Sequence, residues 1–296
     1  MGLFVVLIIL GVYFFRSDWL KTAQSNGPVL SWASMIQPLT WANHPVVFLI
    51  VLLAPVFVLT MFVVPLIEHR VFGIPYLLLS LAVLAFCLGR GNLIDQFDTY
   101  TKQWGEGRGK EYLDLVYDDP VVVENDIDVH LAARSGFMYK GIESISCVLF
   151  WYVIGGLFVP VTYRMLQILS GKDTPELPAR VQSLLKQLIE FIEVIPVTLI
   201  CFAFNLVSDR KLSGVKEWVH GFRSTTWDIR SMLHNHASFS GLLKPIQEFQ
   251  LYDLTSSGHR MEFYQEVLSE LAALRKAFEY LLILFLIVTG VFLIFT

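Results

Sequence analysis

Five ionisable residues stand at the edges of apolar stretches: Glu143, Tyr163, Arg164, Glu190 and Glu193. A charge held at lipid depth is costly, which makes such residues functional candidates, although rim positions facing headgroups account for them as well. Their geometry depends on one local choice. If residues 142 to 169 form a single straight helix, Glu143 and Arg164 lie about 30 Å apart at about 1.5 Å per residue and share no site. If the chain doubles back at Gly155 and Gly156, then Glu143, Arg164 and Glu190 converge. One face then offers a carboxylate beside a guanidinium able to bind phosphate. The sequence leaves both arrangements open. In either, Arg164 is expected to be neutralised by Glu190 or Glu193, because a lone guanidinium at that depth is expensive.

Other motifs carry less. Gly105, Gly107, Gly109 and Lys110 form W-G-E-G-R-G-K, which has the look of a phosphate-cradling loop. The glycine spacing departs from a Walker A motif, no hydroxyl residue follows the lysine and no buried strand precedes it, so a solvated turn between helices is expected. His234 and His236 flank Asn235, but residues two apart on a helix point to different sides, and no third ligand stands at helpful spacing. No metal and no cofactor are therefore expected. G-x-S-x-G and H-E-x-x-H are both missing, so standard hydrolytic chemistry gains no support. Cys87, Cys147 and Cys201 each lie inside an apolar stretch without metal-ligand spacing, and read as buried fillers.

The elements that must position these residues are apolar. Of 296 residues 55 % are hydrophobic and 16 % charged, mean hydropathy is +0.58, and 26 acids against 22 bases give a net charge of -4. That balance points to a lipid bilayer as partner and away from nucleic acid, since no basic stripe tracks a phosphate backbone. The expected fold is all-α, a polytopic helical membrane protein with cytoplasmic helical regions. Val46 to Ile67, Val71 to Gly89 and Phe278 to Thr296 approach the roughly 20 apolar residues a spanning helix needs. Met1 to Phe15, Ile142 to Leu169 and Phe191 to Val207 are marginal. The apolar start lacks the basic residues and cleavage site of a removable signal peptide.

Five regions follow: an N-terminal membrane region 1–89 with a helical hairpin at 46–89, a cytoplasmic helical region 90–141, a membrane-associated core 142–207, a cytoplasmic helical subdomain 208–277 and a C-terminal span 278–296. The two polar regions hold 6 and 9 of the 22 Lys and Arg, which places both on the cytoplasmic side. An even number of crossings then separates them. Phe263, Val267, Leu271, Leu274 and Phe278 recur at helical spacing and predict one long helix running into the last span. Gly214 to Leu233 also has an amphipathic helical pattern.

The run G-I-E-S-I-S-C-V-L-F-W-Y-V-I-G-G-L-F-V-P-V-T-Y-R, with I-E-V-I-P-V-T-L about thirty residues on, resembles the AmpE family of bacterial inner-membrane proteins. The resemblance rests on Glu143, Leu149 to Trp151, Gly155 and Gly156, Pro160 to Arg164, and Glu193 with Pro196. It implies a multi-pass inner-membrane regulator or sensor, linked to β-lactamase induction and cell-wall recycling, with a cytoplasmic partner of the AmpD type. A more distant likeness to the CobD/CbiB membrane proteins of cobalamin synthesis implies the alternative, a membrane-bound ligase or amidase-like enzyme acting on a phosphorylated or peptide-bearing metabolite. On that likeness Glu143, Tyr163, Arg164 and Glu190 match enzyme positions. Thr198 stands where both families commonly carry Arg, and this departure favours the regulator.

Overall fold

The computed structural model describes residues 2–15, 24–38, 44–68, 73–88, 93–116, 123–171, 177–207 and 257–295. The Gly214 to Leu233 pattern, His234 and His236 lie outside them. The described residues are helical and contain no strand. The chain packs as two compact units, one of residues 1–92, 143–193 and 286–296, the other of residues 93–142 and 194–285.

The first unit begins with α1 (Gly2–Phe15), α2 (Gly27–Ile36) and α3 (Pro45–Val58). Proline stands in the first turn of both α2 and α3, where its missing N–H is not needed. Pro55 lies inside α3 and removes a backbone donor there, yet the helix does not break. It continues through a π turn, Leu59–Val63, into α4 (Val64–Glu68). Thr60 eases the disturbed ladder by donating its hydroxyl to the carbonyls of Val56 (2.9 Å) and Phe57 (3.2 Å).

α5 (Ile74–Cys87) follows Gly73, whose φ of 75° is a left-handed conformation natural to glycine. With 14 residues α5 is shorter than the span expected at Val71 to Gly89. Its length is about 21 Å at about 1.5 Å per residue.

Residues 142–170 settle the open choice. A π turn, Ile142–Ser146, leads into α9 (Cys147–Gly155); after Gly156 and Leu157 the chain enters α10 (Phe158–Ser170). Gly156 takes φ 61° and ψ -144°, a region closed to side chains with a Cβ, and this reverses the chain. The two half-length helices pack on each other, and α10 also packs on α2, α3 and α5, which makes it the centre of the unit. Phe191 to Val207 is no separate short segment. It is the end of α11 (Ala179–Val207), 29 residues long with Pro196 inside.

The second unit holds α6 (Leu93–Gly105), α7 (Gly109–Val116), α8 (Asp126–Gly141) and most of α12 (Ser257–Phe295). Asn125 caps α8 by accepting from the Asp128 N–H at 2.9 Å, and the Asp128 carboxylate turns back to the Glu124 N–H at 3.3 Å. The 39-residue α12 is continuous, as its periodicity predicts, and Phe263, Val267, Leu271, Leu274 and Phe278 are all buried. Aromatic rings fill this core: Phe97 stacks on Phe137 with centroids 4.2 Å apart, and Trp104 meets Phe263 edge-on at 5.8 Å.

Among the described residues, two continuous helices are long and apolar enough to cross a membrane, Pro45–Ile67 and Asp126–Gly155. The second is most apolar in its C-terminal half. Its first half carries Asp126, Asp128, His130, Arg134 and Lys140.

Candidate functional site

The reversal at Gly156 brings together side chains far apart in sequence. Gln167 of α10 donates its amide to Glu143 Oε1 at 3.1 Å. In a straight helix those residues would be about 36 Å apart, so the chain doubles back. Gln167 also accepts from Arg164 at 3.3 Å, and the same guanidinium reaches Asn26, just before α2, at 3.4 Å. Glu143, Gln167, Arg164 and Asn26 thus form a half-buried polar chain in which a neutral amide stands between the acid and the guanidinium.

A second contact lies deeper. The Tyr163 hydroxyl donates to Glu193 Oε1 at 2.7 Å, and both residues are buried. A short O–H···O⁻ bond is the strong, charge-assisted kind, and it compensates a carboxylate kept from water. The buried Cys147 thiol lies close to this pair, near Tyr163, Glu143 and Glu193.

Glu190, three residues before Glu193, faces outward and is exposed. Three residues along a helix leave the two side chains only about 60° apart around the axis, so the border between the exposed and the buried face of α11 runs between these two acids. Of the two acids expected beside Arg164, Glu193 accepts from the neighbouring tyrosine, while Arg164 donates to the amides of Gln167 and Asn26 among its contacts.

Pro196 supplies one further tie. It has no N–H to give to the carbonyl of Ile192, and the indole of Trp151 donates to that carbonyl at 3.0 Å. A helix flaw is thereby turned into a docking point for α9.

The glycine run at 105 to 109 is a helix stop. The Arg108 N–H bonds the Gln103 carbonyl at 2.8 Å and the Gly107 N–H bonds that of Trp104 at 3.0 Å, with Gly107 at φ 71°. This is a Schellman cap, and it occupies two of the amides that an anion would need. Gly109 packs against Trp104, whose ring would lie 2.6 Å from an added Cβ. Arg108 pairs with Glu106 and Glu111, and its hydrogen bond holds the Glu106 carboxyl below its ordinary pKa.

The second unit contains a buried ionic group that the sequence reading overlooked. Glu270 of α12 accepts from Arg134 Nη1 at 2.9 Å through one oxygen and meets His130 Nε2 at 2.6 Å through the other. All three side chains are essentially inaccessible to solvent. The signal was present: His130 and Arg134 are four apart on one helix face, and position 270 falls on the apolar stripe between Val267 and Leu274. No group of three or more metal-ligating side chains occurs among the described residues.

No curated protein and no solved structure matches the chain. One family model does, that of the regulatory signalling modulator protein AmpE, over residues 33–242. The match takes in 210 of the 296 residues, including the hairpin, the Tyr163–Glu193 pair and His130 with Arg134. On this match the chain belongs to the AmpE family of regulatory signalling modulators.

Proposed function

We propose that this protein is a multi-pass regulator of a bacterial inner membrane, linked to β-lactamase induction and cell-wall recycling, and that it passes its signal to a cytoplasmic partner of the AmpD type. The observation that carries the membrane part is the outer face of Pro45–Ile67. Val46, Ile50, Phe57, Val58, Met61, Phe62 and Leu66 are all exposed on it. In water each would forfeit about 25 cal/mol for every Å² of apolar surface left uncovered. In a bilayer they face hydrocarbon, and 23 residues at about 1.5 Å each match its roughly 30 Å thickness. The hairpin Ile142–Ser170 belongs to this membrane core, with its polar ends at one edge.

The regulator reading fits a site whose polar groups are wired to one another. Tyr163 closes over Glu193, and Gln167 separates Glu143 from Arg164. A second reading, a ligase or amidase-like enzyme using a nucleotide, draws on the same clustering of an acid near a guanidinium. Two measurements separate them. Under the regulator reading, deletion alters β-lactamase induction in the host, and calorimetry of the purified protein with ATP and magnesium shows no saturable heat. Micromolar ATP binding lost in Arg164→Ala would replace the regulator with the enzyme. Cysteines introduced at Lys110 and Lys244 test the topology. Labelling of either from the periplasm would overturn the placement of both polar regions in the cytoplasm.

A further inference from the structure

From Ser144 to Tyr163 the chain carries no Asp, Glu, Lys or Arg, and Glu143 and Arg164 close the run at its two ends. In one straight helix those 20 residues would measure about 30 Å, the thickness of the apolar core of a bilayer. Reversed at Gly156, the same run extends only about 18 Å from Glu143 to Gly155 and then returns to Gln167, beside that acid. It reaches little more than halfway through the hydrocarbon. A second observation fixes the same depth. Phe158, the first residue of α10, meets Phe57 edge-on with ring centroids 6.4 Å apart. Phe57 is the thirteenth of the 23 residues of Pro45–Ile67, the continuous helix that matches the bilayer thickness, so the turn lies level with the middle of that helix.

Backbone that leaves a helix at such a depth finds no water to bond, and it is tolerated only where protein covers it. The turn meets this condition. Leu157 is buried, Gly155 and Gly156 are half-buried, and α10 packs against α2, α3 and α5. Pro160, buried in the first turn of α10, has no N–H, so one of the donors that a helix start leaves open is missing from the outset. Next to the turn Ile154 points outward and is 58 % exposed, an apolar side chain suited to lipid. At the opposite end of the hairpin Ser170 is exposed, close to Gln167 and the polar chain it belongs to.

We infer that α9 and α10 form a re-entrant hairpin, which enters the bilayer at the level of Glu143, turns at Gly156 near the midplane and leaves by the side it entered. Its partner is the acyl chains of one leaflet, met by Ile154, and its open end offers Glu143, Gln167 and Arg164 to one aqueous side alone. The inference rests on the membrane reading of Pro45–Ile67 given above. All of the residues that carry it lie within the first unit.

Spin labels measure the depth. Single cysteines replace Val46, Val58, Leu66, Ile154 and Ser170, all exposed, in the full-length protein reconstituted into vesicles of phosphatidylcholine and phosphatidylglycerol. The native Cys87, Cys147 and Cys201 are buried and stay in place, with the signal of wild type taken through the same labelling subtracted. Power saturation with oxygen, which concentrates in hydrocarbon, and with a water-soluble nickel chelate then ranks the positions. Along Pro45–Ile67, Val58→Cys should read deep and Val46→Cys and Leu66→Cys shallow. Ile154→Cys should fall within one helical turn, about 5 Å, of the depth of Val58→Cys, and Ser170→Cys should read with the shallow pair. Ile154→Cys as shallow as Leu66→Cys overturns the re-entrant hairpin while leaving the span intact, and so does a deep Ser170→Cys. A flat profile over Val46, Val58 and Leu66 overturns the membrane reading itself, and the hairpin's placement with it.

Discussion

Removing the Tyr163 hydroxyl tests whether the deeper part of the site is held as described. Tyr163→Phe keeps the ring and its packing but takes away the donor 2.7 Å from Glu193 Oε1. A hydrogen bond to a charged group contributes about 1.5 to 3 kcal/mol, and a buried acceptor stripped of it bears its own desolvation cost. The expected loss is therefore about 2 kcal/mol, a fair fraction of a stability of about 5 to 15 kcal/mol. Glu193→Gln keeps an acceptor oxygen but gives up the charge assistance, and should cost less. Once Tyr163 is Phe, the glutamine has less to lose, so the double variant should fall short of the summed losses by about 1 kcal/mol or more. The assay is reversible unfolding of purified protein in mixed micelles at rising SDS mole fraction, followed by far-ultraviolet circular dichroism. Additivity within about 0.5 kcal/mol would refute the coupling and the strength assigned to this bond.

Glu270→Ala leaves a guanidinium and an imidazole buried without their carboxylate, and should cost about 3 to 5 kcal/mol in the same unfolding assay. The depressed pKa of His130 means that the unfolded chain binds the extra proton first. The stabilisation it confers is complete above the unfolded value near pH 6.5 and declines by about 1.4 kcal/mol per pH unit below it, down to the folded value. A melting temperature independent of pH across that interval would refute this linkage. Gly156→Ala forces a Cβ onto a backbone at φ 61°, costing about 1 to 3 kcal/mol, and should weaken the hairpin that joins Gln167 to Glu143. An unchanged unfolding midpoint would show that the turn can be made another way.

Much of the helical framework was legible because it depends on local pattern. The repeat from Phe263 to Phe278 specifies one face of α12, and the paired glycines at 155 and 156 mark a break where a straight helix would need continuity. The outcome of that break was not legible. Whether residues 142 to 169 cross or return depends on a left-handed Gly156 and on partners such as Asn26, more than a hundred residues away in sequence. Glu190 and Glu193 looked alike as acids opening an apolar run, and only the rotation of α11 fixes which one meets Tyr163. The group at His130 escaped notice for a different reason. Glu270 reads as one more charge on an amphipathic helix until α8 delivers a histidine and an arginine to the same height.

The bond from Trp151 to the Ile192 carbonyl ties two positions forty-five residues apart into a single heritable character. The carbonyl is vacant because residue 196 is proline, and the indole is useful because the carbonyl is vacant. A chain that replaced Pro196 with alanine would restore an ordinary helix turn and leave Trp151 competing for an oxygen already engaged. One that lost Trp151 would keep a carbonyl with nothing to accept. Each change alone is a step down, and both together are close to neutral. Across the family the two residues should accordingly be kept as a pair or lost as a pair, a pattern of joint substitution that a set of related sequences would reveal without any protein being made.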